Sequence, residues 1–131
     1  IVITHILVDV HGVLTNGDEG QKFSLSLKNN FNINPEEQNI FWRNYVDKLD
    51  KNKITSIEYI NLFNQKFNVS FNPDKYFNSI INFIIPNTKL LEYLSGVSDK
   101  YKIIIVSDNL FDLANKLENV LKNDFEKVIG K

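Results

Sequence analysis

A chain of 131 residues and 15.2 kDa has the length of one ordinary domain, enough to bury roughly two-thirds of its unfolded surface. Hydrophobic residues make up 43% and charged residues 24%, with only five Gly and three Pro, a globular balance that excludes the disordered and fibrous classes. Fifteen Lys plus Arg against sixteen Asp plus Glu leave a net charge of -1, without the basic footprint of nucleic-acid binding. The lack of Cys excludes a disulfide framework, a thiolate metal site and a cysteine nucleophile.

Residues 1–8 are β-branched and aliphatic on both faces apart from Thr4 and His5, the pattern of a buried strand in a parallel sheet, and the strand delivers Asp9 at its end. The run starts without the basic leader of a signal peptide, and the chain reads as trimmed there. Asn34-Pro35-Glu36-Glu37 reads as N-cap, first-position Pro and acidic first turn of a helix carrying Ile40, Phe41, Tyr45 and Leu49. Trp42, Phe41 and Tyr45 share helical spacing and read as packing. Residues 47–53 mix charge signs, as a solvated helix end does. Thr55 and Glu58 have the spacing of a capping box ahead of Ile57, Ile60, Phe63 and Phe67. Asn72-Pro73-Asp74 repeats the first signal. Pro86-Asn87 opens a further helix that should close near Gly96.

Residues 103–106 form a second short apolar run, again a buried strand, and it ends in Ser107-Asp108-Asn109. Polar residues at the carboxyl ends of two parallel strands mark the place where open α/β sheets bind ligands. Asn109 can cap a following helix with Leu113, Leu117 and Leu121, or face the ligand. The heavy use of Asn, Lys and Ile reads as genome composition. No apolar run is long enough to span a bilayer, so no membrane partner is expected; the charge balance argues against a nucleic acid, and the lack of Cys fits a cytoplasmic setting.

Asp9-Val10-His11-Gly12-Val13-Leu14-Thr15 resembles the first motif of haloacid dehalogenase-like (HAD) hydrolases, Asp-x-Asp-Gly-(Val/Thr)-Leu, and Ser107 resembles the second, a Ser or Thr closing an apolar strand. The resemblance implies a Rossmann-like three-layer α/β core with a parallel sheet, formed by residues 1–16 and 86–131, and an inserted α-helical cap at 17–85. It implies Asp9 as nucleophile and metal ligand, and a small phosphorylated molecule as substrate. Gly12, Ser107, Asp108 and Asn109 would bind that substrate. His11 stands where the family carries its acid/base Asp. It would give Mg2+ its main-chain carbonyl, and an imidazole is a side chain suited to proton transfer near neutral pH.

Three readings stay open: a magnesium-dependent phosphatase, a metal-free 2-haloacid-type dehalogenase, and a degenerate relative that binds without turnover. Outside the motif pattern, Asp9 reads as a turn cap, His11 as a hydrogen-bonded surface group and His5 as a satisfied core or edge histidine. Restoring Asp at position 11 is expected to raise phosphatase activity. The third and fourth motifs are expected beyond residue 131 in a protein of roughly 200 residues, because 125–131 reads as a strand start, and Lys131 is left unassigned. The 131 residues alone are therefore expected to be inactive.

Overall fold

The computed structural model describes residues 1–106 and 115–122. Ser107, Asp108, Asn109, Leu113 and segment 123–131 with Lys131 lie outside the described residues. Strands β1 (His5–Asp9) and β2 (Lys102–Val106) pair in parallel, with His5 opposite Lys102 and Asp9 opposite Val106. Between them come helices α1 (Glu19–Phe31), α2 (Pro35–Asp50), α3 (Ser56–Phe67), α4 (Pro73–Ile81) and α5 (Thr88–Val97), and residues 115–122 are helical again.

Local capping chemistry places most of these helices. Asn34 accepts from the amides of Glu36 and Glu37, Asn72 from Lys75, and Asn87 from Leu90. Thr55 and Glu58 exchange both bonds of a capping box. Asn also ends helices: Asn32 and Asn68 take left-handed φ values of 55° and 53° after α1 and α3, so part of the Asn-rich composition serves the helix ends. Helix α5 closes at Val97, next to Gly96 as expected, but its C-cap is Ser98 with φ -65°, so no left-handed glycine ends it.

Helix α1 packs against α2 and α4, and α3 packs against the same pair. Their shared interior is largely aromatic. Tyr76 meets Phe23 and Phe63 edge to face at 5.1 and 5.2 Å between ring centroids, and Phe41 lies 5.6 Å from Phe63. The buried hydroxyls of Tyr59 and Tyr76 lie 3.1 Å apart, and Ser24 donates to Gln38 at 2.6 Å. Burial pushes both phenols up, Tyr76 to about 12, so the pair stays neutral at ordinary pH.

A second apolar cluster joins Val8 of β1, Val10, Leu14, Leu91 and Leu94 of α5, and Leu117 and Leu121. Among the described residues it covers one face of the sheet, where Ile105 is still 50% exposed; on the other face Leu7 is 69% exposed, and Ile104 and Val106 are exposed beside it. Both strands were expected to be buried on both faces. The described helices that reach the sheet lie on the Val8 side, so the run's composition overstates its cover. Regular strand also starts at His5 rather than Ile1, although Thr4 still accepts from the Lys102 amide at 3.0 Å. His5 is exposed at the strand start, beside the Thr4 hydroxyl at 2.7 Å.

The chain leaves and re-enters the sheet region through two segments stitched together. Thr15 and Pro86 form an antiparallel bridge. Asn16 donates its amide to Ile85 O at 3.0 Å and its side chain to Phe83 O at 3.1 Å, and accepts from the Ile85 amide at 2.9 Å. Asn87 donates to Leu14 O at 2.7 Å and Val13 O at 3.1 Å.

Candidate active site

Asp9 is the last residue of β1 and exposed, and one carboxylate oxygen accepts from the Val10 amide at 2.8 Å. That bond fixes the direction of the carboxylate. The chain then makes a wide turn over Val10–Leu14, closed by the Thr15 amide donating to Val10 O at 3.0 Å and anchored by Val10 and Leu14, which are fully buried. Anchoring both ends leaves His11, Gly12 and Val13 on the surface side.

Gly12 has φ +75°, and a Cβ there would meet nothing within 4 Å, so its backbone angle is what favours glycine. Gly17 is more constrained. Its φ is +77°, and a Cβ would lie 2.9 Å from both Cα and N of Gly12. The entry to α1 therefore rests backbone to backbone on the turn.

This seating brings Glu19, the first residue of α1, to His11. The imidazole Nδ1 hydrogen-bonds Glu19 Oε1, between a half-buried ring and a carboxylate that is only 7% exposed. The second oxygen, Oε2, is enclosed and has no hydrogen-bond partner among the described residues. Sequence reasoning missed Glu19, because nothing in its immediate surroundings marks it. The signal was indirect: Asn16-Gly17-Asp18 is a turn, and a turn so close after the motif returns the chain to it.

A groove of about 660 Å³ reaches Glu19 and runs between α1, α2 and α4, lined by Gly17, Phe23, Gln38, Trp42 and Tyr76 among others; Asp9 and His11 are not in its lining. Trp42 lines the groove and also packs edge-on against Tyr59 at 5.8 Å, so its packing role is joined by a place on the groove wall.

Of the expected site residues, Asp9, His11 and Gly12 stand together on one strand end and its turn. Val106 pairs with Asp9, so the chain leading to Ser107 runs along the same sheet edge, while Ser107, Asp108 and Asn109 themselves lie outside the described residues. No group of three or more His, Cys, Asp or Glu that could hold a metal occurs among the described residues. The donor set does fit a hard divalent cation in kind. Asp9 supplies a carboxylate and the turn supplies main-chain carbonyls, the oxygen chemistry such an ion requires. No helix among the described residues is long and apolar enough to cross a membrane.

No protein-family model matches the chain. No curated protein matches it either. Among solved structures it is similar to the HAD family enzyme BT-2542 from Bacteroides thetaiotaomicron, with a TM-score of 0.66 and 20% identity over 94% of this chain and 60% of that one. A second structure of that enzyme, the wild-type protein in complex with magnesium and inorganic phosphate, matches with a TM-score of 0.60 and 17% identity over 87% and 57%. The chain thus spans about 60% of the length of the enzyme it resembles. With a strand-end Asp9, a glycine turn after it and a helical insert before the parallel partner strand, the chain has the α/β fold of HAD-like proteins.

Proposed function

We propose that this chain carries the nucleophile of a phosphoester hydrolase acting on a small phosphorylated molecule, with residues 1–16 and 86–131 as core and the bundle at 17–85 as cap. The observation that carries the reading is the placement of Asp9: at the carboxyl end of a parallel strand, its carboxylate held by the Val10 amide, directly before a glycine turn. A carboxylate attacks phosphorus effectively when its direction is fixed, and a strand end fixes it. The magnesium and inorganic phosphate bound by the Bacteroides enzyme of like fold support the same reading.

In the first step an Asp9 oxygen bonds to phosphorus as the ester P–O bond breaks, and His11 gives the leaving oxygen a proton. Water then attacks phosphorus and loses its proton to His11. The bond to Asp9 breaks, releasing inorganic phosphate and restoring the carboxylate. The Ser107 hydroxyl, the Asn109 side-chain amide and the main-chain amide of Asp108 would supply donors to the phosphoryl oxygens, together with the amides of the Gly12 turn. Magnesium, held by the Asp9 carboxylate and the His11 carbonyl, would supply neutralising charge for the phosphoryl group. The organic part of the substrate would lie in the groove. No Lys or Arg is among the described residues that line it, so it suits an uncharged group with an apolar face better than one carrying a second phosphate.

His11 in place of the family's acid favours one second reading, hydrolytic dehalogenation through an ester on Asp9, which needs no metal. The test is turnover by the full-length protein of an aryl phosphate and of a 2-haloacid, each with and without magnesium. Phosphate release that requires magnesium, with no halide release, is expected. Metal-independent halide release would establish the dehalogenase instead, and no turnover of either would overturn both hydrolase readings.

A further inference from the structure

We propose that Glu19 is a positioning residue for His11, and that the pair, drawn from the turn and from helix α1, takes over the task of the single acid carried at that position in the motif this chain resembles. The reaction it serves rests on the hydrolase reading above. The contact itself does not.

A carboxylate oxygen can only accept, so the bond from Nδ1 to Glu19 Oε1 sets the hydrogen of the neutral ring on Nδ1. The bond also fixes the ring plane. Glu19 differs from an ordinary acidic first-turn residue, which sits in solvent and interacts with the helix dipole. It is 7% exposed, and its Oε2 is enclosed without a partner among the described residues. A carboxylate oxygen enclosed without a partner among the described residues costs stability, so the contact with His11 rather than helix stability is the role assigned to Glu19.

The pairing also links two parts of the fold. Glu19 reaches His11 because Gly17 packs on Gly12, and α1 is held by Asn16 bridging to Phe83 and Ile85. His11 is therefore oriented when α1 is seated on the turn. Glu19 neither gains nor loses a proton in the cycle.

Histidine NMR tests this directly, because the chain has only two histidines, His5 and His11. In 15N-histidine-labelled protein, at a pH where both rings are neutral and with His5→Gln to assign the signals, the His11 hydrogen should reside on Nδ1. Glu19→Ala should shift it toward the Nε2–H form favoured in water, and Glu19→Gln, which retains an acceptor oxygen, should largely restore Nδ1–H. In the full-length protein Glu19→Ala should lower kcat by about 10²–10⁴-fold with KM little changed, while Glu19→Gln recovers part of the loss. Melting temperature should be unchanged or higher in Glu19→Gln.

His11→Asp, which sequence alone expects to raise activity, should lower it, since it sets a second carboxylate against Glu19. An unchanged His11 tautomer in Glu19→Ala, or a lower melting temperature with unchanged kcat in Glu19→Gln, would overturn the proposal. The tautomer shift in a wild type without phosphoester turnover would support the pairing and defeat the reaction assigned to it.

Discussion

Asp9→Asn is expected to abolish phosphoester hydrolysis by the full-length protein while leaving the fold intact. The amide has nearly the same shape and can still accept from the Val10 amide, so the 2.8 Å bond that orders the strand end survives. What is lost is the negative charge that, in the proposed reaction, would attack phosphorus and hold the metal, and the nearby carboxylate of Glu19 would not replace it, being buried and engaged by His11. Rates should fall to the background of the assay, with the circular dichroism spectrum and melting temperature close to wild type. Near-normal turnover, once mass spectrometry has excluded deamidation of the Asp9→Asn protein back to wild type, would remove Asp9 from the nucleophile's role.

Gly17→Ala should damage both stability and activity. At φ +77° an alanine carries a conformational penalty of about 1–3 kcal/mol. Its Cβ would also stand 2.9 Å from Cα and N of Gly12, where the obstacle is backbone and has little room to give. Relieving that overlap costs about 1–3 kcal/mol more and moves either the turn or the start of α1. Either movement separates Glu19 from His11, so the loss of kcat should exceed what the lowered stability explains. Gly12→Ala provides the comparison, since it shares the positive φ with nothing within 4 Å of the new Cβ. Denaturant melts of both variants check this, and a Gly17→Ala protein as stable as Gly12→Ala would show that the contact between the two glycines carries no energy.

How much of this was legible in the sequence depends on how local each signal is. Helices α2, α3, α4 and α5 were readable because their caps are written within four residues, as in the Thr55–Glu58 box and the Asn at positions 34, 72 and 87. Helix α1 was not, because Phe23-Ser24-Leu25-Ser26-Leu27 alternates like a strand and its N-cap residue, Asp18, makes no side-chain capping bond. In the fold Phe23 and Leu27 turn inward one helical turn apart, while Leu25 is 54% exposed. Tertiary packing against α2 and α4 decided between the two periods.

The site divides in the same way. Asp9, His11 and Gly12 are consecutive enough to form a readable motif, and the register of β1 against β2 bears out the expectation that the two strands are parallel neighbours. Glu19 became visible only through the fold-back at Gly17, which no periodicity encodes. The uncovered face of the sheet was illegible for a related reason: an aliphatic run is the same whether one face or both are covered.

Phosphorylation of Asp9 is the central step of the proposed reaction. Rapid acid quenching of the full-length protein during turnover of an aryl phosphate, followed by proteolysis and fragmentation mass spectrometry, tests it most directly. The expected result is a phosphoryl group on the Asp9 carboxylate, absent in Asp9→Asn. A phosphoryl group on His11 or on any other side chain, with Asp9 unmodified, would contradict it.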